Sequence, residues 1–112
     1  MDIESEIEKL EDAKEFQQKK IDRRSTALRL AENKDFIEII TEGYLRDEAA
    51  RLASILGDER MTDDDQKVIN DLRGIGSLIR YLKTIEINGQ IAQKEYDSAD
   101  RFIDDLRQSG DE

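Results

Sequence analysis

The chain has 112 residues, 41% of them charged and 37% hydrophobic, with no cysteine, histidine or proline and a formal net charge of −10. That length supports one modest core, and the missing residue types exclude a disulfide framework, thiolate chemistry, and an imidazole base or metal ligand. No apolar run is long enough to cross a bilayer, and the acidic start MDIESEIEKLED is unlike a secretory signal, so the expectation is a soluble, intracellular helical protein.

In residues 2–32, Ile3, Ile7, Leu10, Lys14, Gln17, Ile21, Arg24 and Leu28 recur at alternating spacings of four and three. This is a heptad seam with polar gaps. Asp2 is placed to cap its start, and acids early and bases late suit the helix dipole. Thirty helical residues reach about 45 Å, and a helix polar on most of its faces needs a partner along its seam. Residues 1–32 are therefore read as an amphipathic, coiled-coil-like helix.

A break comes at AENKDF, where Asn33 suits a left-handed C-cap and Asp35 an N-cap. Residues 36–56 then carry a broad apolar stripe of Phe36, Ile37, Ile40, Tyr44, Leu45, Ala49, Leu52, Ala53 and Leu56, ended by Gly57. After an acidic linker at 58–62, Thr62 or Asp63 caps a third helix, with Gln66 completing a capping box. The stripe of that helix, from Leu72 through Ile85 and Tyr96 to Ile103, drifts slowly but does not jump at Asn88-Gly89. One helix over about 64–107 is favoured, with a kink or break at Asn-Gly as the alternative. The expected fold is all-α. A helical hairpin of 36–56 with 64–88 forms the core of a 33–107 domain, and the chain ends in an acidic tail at 108–112.

Glycine inside a helix costs roughly 1 kcal/mol relative to alanine, so Gly74, Gly76 and Gly89 need a reason. GIGSLI lacks the third glycine of a dinucleotide fingerprint, the preceding strand, and the lysine-serine or lysine-threonine pair of a phosphate loop. Gly76 and Gly89 border the apolar stripe, and Gly43 precedes Tyr44, so close helix packing is expected at all three.

The acids of TDDD, residues 62–65, sit where a helix start favours negative charge. A calcium loop would need alternating oxygen ligands, a central glycine and a closing glutamate, which are missing. Asp104 and Asp105 are neighbours on a polar face, and Ser25, Ser54, Ser77 and Ser98 have no histidine to activate them. No catalytic, cofactor-binding or metal-binding residue is expected, and the chain is read as no enzyme. Residues 58–66 and 97–112 each carry −4, flanking a 67–96 segment of +2. That distribution disfavours direct nucleic-acid binding and is compatible with a basic protein partner. The one dense basic patch is KKIDRR, whose Lys19, Lys20, Arg23 and Arg24 are candidate partner-facing residues. Tyr44, Tyr81 and Tyr96 lie in apolar stripes and are expected in the core.

DFIEIITEGYLRDEAARLASIL, an acidic linker, and INDLRGIGSLIRYLKTI together resemble small helical proteins encoded among the capsid and packaging genes of tailed bacteriophages. The likeness covers roughly residues 27–106 and rests most on EGY, EAARL and GIGSL. It implies a virion structural or assembly protein, located in the virion or the host cytoplasm, and transfers no site residue. One function is expected, with a second as the alternative. The first is helix-mediated homo-oligomerisation with docking on a larger capsid or portal protein. The second is an acidic inhibitor that mimics nucleic acid and blocks a basic groove of a host enzyme. For the first, self-association is expected through Ile3, Ile7, Leu10, Ile21 and Leu28 on one helix and Tyr96, Ile103 and Leu106 on another, as ends left uncovered by the hairpin.

Overall fold

The computed structural model describes residues 2–58, 60 and 65–110, and among them every regular element is helical. The first helix runs Ile3–Glu32, and the backbone N–H of Glu4 donates to the Asp2 carboxylate at 3.2 Å, the expected cap. Asn33 then breaks the helix in an extended conformation, φ −69° and ψ 126°. Its side-chain oxygen accepts from the Phe36 N–H at 3.0 Å. Asn33 is therefore the N-cap of the second helical run. It is not a left-handed C-cap, and Asp35 is not the cap.

That second run covers 34–56, and its middle, Ile37–Glu48, is wound as a π-helix before α geometry resumes over Ala49–Leu56. The π winding, with i→i+5 bonding, is rare and usually limited to one turn, often near functional sites. Twelve residues is long for it. A Cβ on Gly43 would lie 3.0 Å from the carbonyl oxygen of Glu38, five residues earlier in the same helix. Gly43 thus relieves its own wide turn and admits no neighbouring helix, contrary to the expectation. The last helix is unbroken over Asp65–Gly110, straight through Asn88-Gly89. The proposed caps Thr62 and Asp63, and the acids Asp63 and Asp64 of TDDD, lie outside the described residues, as do the last two residues of the acidic tail.

The chain forms two compact units, residues 1–26 with 85–112, and residues 27–84. This differs from a division after residue 32, because each unit takes part of the first helix and part of the last. In the 27–84 unit, Leu52, Val68 and Ile75 are buried, with Tyr44, Leu45, Ala49, Ile55 and Leu72 packed around them. Tyr44 sits beside Gly74 while Leu52 joins Val68 in one cluster, so partner numbers rise as the others fall and the two helices are antiparallel. The hairpin core of 36–56 against the start of the last helix is therefore present. Leu82, at its far end, is half-buried and outside that cluster.

In the other unit, contacts pair Ile3 with Gly110, Glu11 with Arg107, Lys14 with Asp100, and Arg24 with Gly89. Each step up the first helix is a step down the last, so these segments too are antiparallel. On the last helix Ile85, Gly89, Ala92, Tyr96, Ala99, Ile103 and Leu106 are buried or half-buried, spaced four and three. On the first helix Ile7, Leu10, Lys14, Gln17, Ile21 and Arg24 are half-buried at the same spacing. Two heptad seams cover each other within one chain.

Candidate functional site

That pairing corrects the premise on which self-association was placed. Ile7, Leu10 and Ile21 turn with Lys14 and Arg24 toward the chain's own last helix, where Ile103 is only 1% exposed and Tyr96 and Leu106 are half-buried. Ile3 and Leu28, at 39% and 42% exposure, are the more open members of the set. The other residues expected to await a second copy already have partners, because the last helix extends far enough to cover the first.

The polar gaps in the seam are accommodated one by one. Lys14 donates to Asp100 at 2.8 Å, lies 3.7 Å from Glu11, and stands 5.0 Å from the centre of the Tyr96 ring. The hydrogen bond to Asp100 raises its pKa above the ordinary lysine value, against a smaller opposing effect of burial. Arg24 lays its aliphatic stem across Gly89, where an added Cβ would fall 2.4 Å from the Arg24 Cβ. Its Nε is buried with no hydrogen-bond partner. Arg24 is thus a packing residue and leaves the partner-facing set. Lys20 places its ammonium 4.5 Å over the Phe16 ring, while Lys19 and Arg23 stand exposed.

The glycines separate in the same way. Gly89 is the close-packed one. Gly76 meets only the Arg80 guanidinium of its own helix at 3.4 Å, and Gly74 has just the Tyr44 hydroxyl at 3.8 Å. Tyr44 and Tyr96 are half-buried as expected, whereas Tyr81 is 57% exposed.

Among the described residues, two surfaces that packing does not consume bear on function. Beside the paired seams of the 1–26 and 85–112 unit runs a groove, lined by Leu10, Ala13 and Gln17 on one helix and Glu95, Ser98, Ala99 and Phe102 on the other. Phe16, three residues after Ala13, and Ile91, four before Glu95, extend it on the same side. Phe16, Ile91 and Phe102 are 59%, 54% and 53% exposed. The alternating-seam pattern missed this groove because Ala13, Glu95, Ser98 and Phe102 fall outside the seam positions, while its other lining residues, Leu10, Gln17 and Ala99, belong to the seams themselves. The signal was present in the apolar residues Phe16, Ile91 and Phe102 on otherwise polar faces.

The second surface is a cleft of about 350 Å³ in the 27–84 unit, between the π-wound segment and the start of the last helix. Tyr44 and Glu48 come from one side and Asn70, Asp71 and Gly74 from the other, over Leu52 and Ile75. Among the described residues no three His, Cys, Asp or Glu gather as a metal site, and no helix is long and apolar enough to cross a membrane. Comparison with protein-family models, curated proteins and solved structures found no match.

Proposed function

We propose that this protein is a non-enzymatic structural or assembly component of a tailed-phage particle, acting by helix-mediated oligomerisation and by docking on a larger capsid or portal protein. The phage setting rests on the resemblance of EGY, EAARL and GIGSL. The observation that supports the mode of action is the groove lined by Phe102, with Phe16 and Ile91 next to its lining residues by helical spacing, all three more than half exposed. Large apolar side chains clustered on an otherwise charged surface are typical of protein contact sites. The two-helix floor with small residues Ala13, Ser98 and Ala99 has the form that receives a further helix. Self-association is accordingly assigned to this outer groove and not to the covered seams.

The inhibitor reading draws less support, because Glu11, Glu48, Asp58 and Asp100 are engaged by the chain's own cations. A mimic of nucleic acid presents its acids to the partner.

The test is reconstitution with the purified capsid and portal proteins of the phage that encodes the chain. Co-sedimentation with one of them, weakened by Phe102→Ser, is the expected result. Absence of binding to either protein overturns the docking assignment.

A further inference from the structure

Gly74 has no structural reason to be glycine. Among the described residues no φ is positive, so its backbone suits any residue, and an added Cβ would find only the Tyr44 hydroxyl at an ordinary 3.8 Å. It still carries the helix penalty of glycine. What its missing side chain does is leave the cleft open between the last helix and the π-wound segment.

The chemistry of that cleft is layered. Its floor is apolar, since Leu52 and Ile75 are each 3% exposed and belong to the core. Its rim is polar and aromatic: Tyr44, Glu48, Asn70 and Asp71. Glu48 is bonded to Arg51, whose charge also feels Asp71. Counting Glu48, Asp71 and Arg51 leaves one negative charge at the mouth. Tyr44 and Glu48, four residues apart on one helical face, both line the cleft. An occupant matched to this arrangement has an aliphatic stem for the floor and the Tyr44 ring, and a cationic end for Asp71, since the Asn70 side-chain oxygen already accepts from Gln66 at 3.0 Å.

We infer that the cleft formed by Tyr44, Asn70, Asp71 and Gly74 is a binding pocket for a lysine or arginine side chain of a partner protein. It lies on different residues from the groove at Phe16 and Phe102 and stands or falls separately from the assembly role. The occupant is a protein side chain because the apolar floor takes an aliphatic stem and the net negative charge of the mouth favours a basic partner.

The test uses nuclear magnetic resonance titration of the isotopically labelled full chain with N-acetyl-lysine methylamide, N-acetyl-arginine methylamide and the uncharged N-acetyl-norleucine methylamide. Saturable shifts centred on Tyr44, Asn70, Asp71 and Gly74 are expected for at least one cationic probe, with the norleucine probe weaker by about tenfold. Asp71→Asn should remove that preference. Gly74→Leu, which fills the cleft on an otherwise favourable helix, should abolish the response to every probe while circular dichroism stays unchanged. Equal responses to charged and uncharged probes, shifts scattered over surface acids such as Asp97 and Asp104, or binding that survives Gly74→Leu each overturn the pocket. So does the absence of any saturable shift in the wild-type chain.

Discussion

Gly89 and Gly74 share one helix, yet the substitution of each by alanine is expected to act in opposite directions. At Gly89 a new Cβ collides with the Cβ, Cγ and Cδ of Arg24, at 2.4–2.9 Å. The stem cannot withdraw without moving its own backbone, so Gly89→Ala should destabilise by about 1–3 kcal/mol in urea unfolding. In an Arg24→Ala background, where the Cγ and Cδ contacts are gone and the Cβ contact remains, Gly89→Ala should cost less than it does in the wild type. At Gly74 the space is open, and Gly74→Ala should stabilise by about 1 kcal/mol. Destabilisation there would mean that the cleft is not open. Gly89 was legible as a packing glycine because it falls on a heptad position beside the apolar stripe. Gly43 was not, because nothing in FIEIITEGYLRDE distinguishes π from α winding, and only the Glu38 carbonyl beneath it gives the reason. Arg24 likewise read as part of a basic patch, since a guanidinium and its stem have opposite tendencies and composition sees only the charge.

At the scale of helices, the hairpin core was visible in two facing apolar stripes and a short linker. Leu52→Ala should cost about 2–5 kcal/mol, the range for emptying a fully packed site. Leu82→Ala should cost less, because Leu82 is only half-buried. Equal losses at both positions in the same unfolding experiment would contradict the extent of the core. What the sequence hid was the partner of the first helix. The last helix continues the heptad spacing through Ile85, Gly89, Ala92, Tyr96, Ala99, Ile103 and Leu106, but glycine and two alanines among them weaken the signal of a seam. Gly89 is what lets the long side chain of Arg24 occupy the opposite seam.

The ion pair in that seam carries a pH dependence with a definite sign. The hydrogen bond to Asp100 raises the Lys14 pKa in the folded chain, so the protonated lysine favours folding. This contribution is complete below the unfolded-state pKa and is lost as pH rises through the higher folded-state value. The stability difference between wild type and Lys14→Met should therefore be level through neutral pH and shift against the wild type in the alkaline range. A shift confined to the acid side of neutrality, with none in alkali, would assign the coupling to the carboxylates instead.

For the molecule as a whole, a net charge of −10 opposes association while exposed aromatic side chains favour it. The acids and bases are intermixed, and Glu11, Glu48 and Asp100 are satisfied internally, which leaves the apolar groove as the strongest feature presented outward. Salt should therefore strengthen self-association by screening like charge, and a light-scattering series in sodium chloride checks this. The most direct measurement is sedimentation equilibrium of the full chain over a micromolar concentration series, beside a variant carrying Phe16→Ser and Phe102→Ser. The wild type is expected to exceed the 13.0 kDa of one chain as concentration rises, while the variant stays at 13.0 kDa with unchanged helicity. A wild-type chain at 13.0 kDa throughout, or a variant that associates as the wild type does, would contradict assembly through this face.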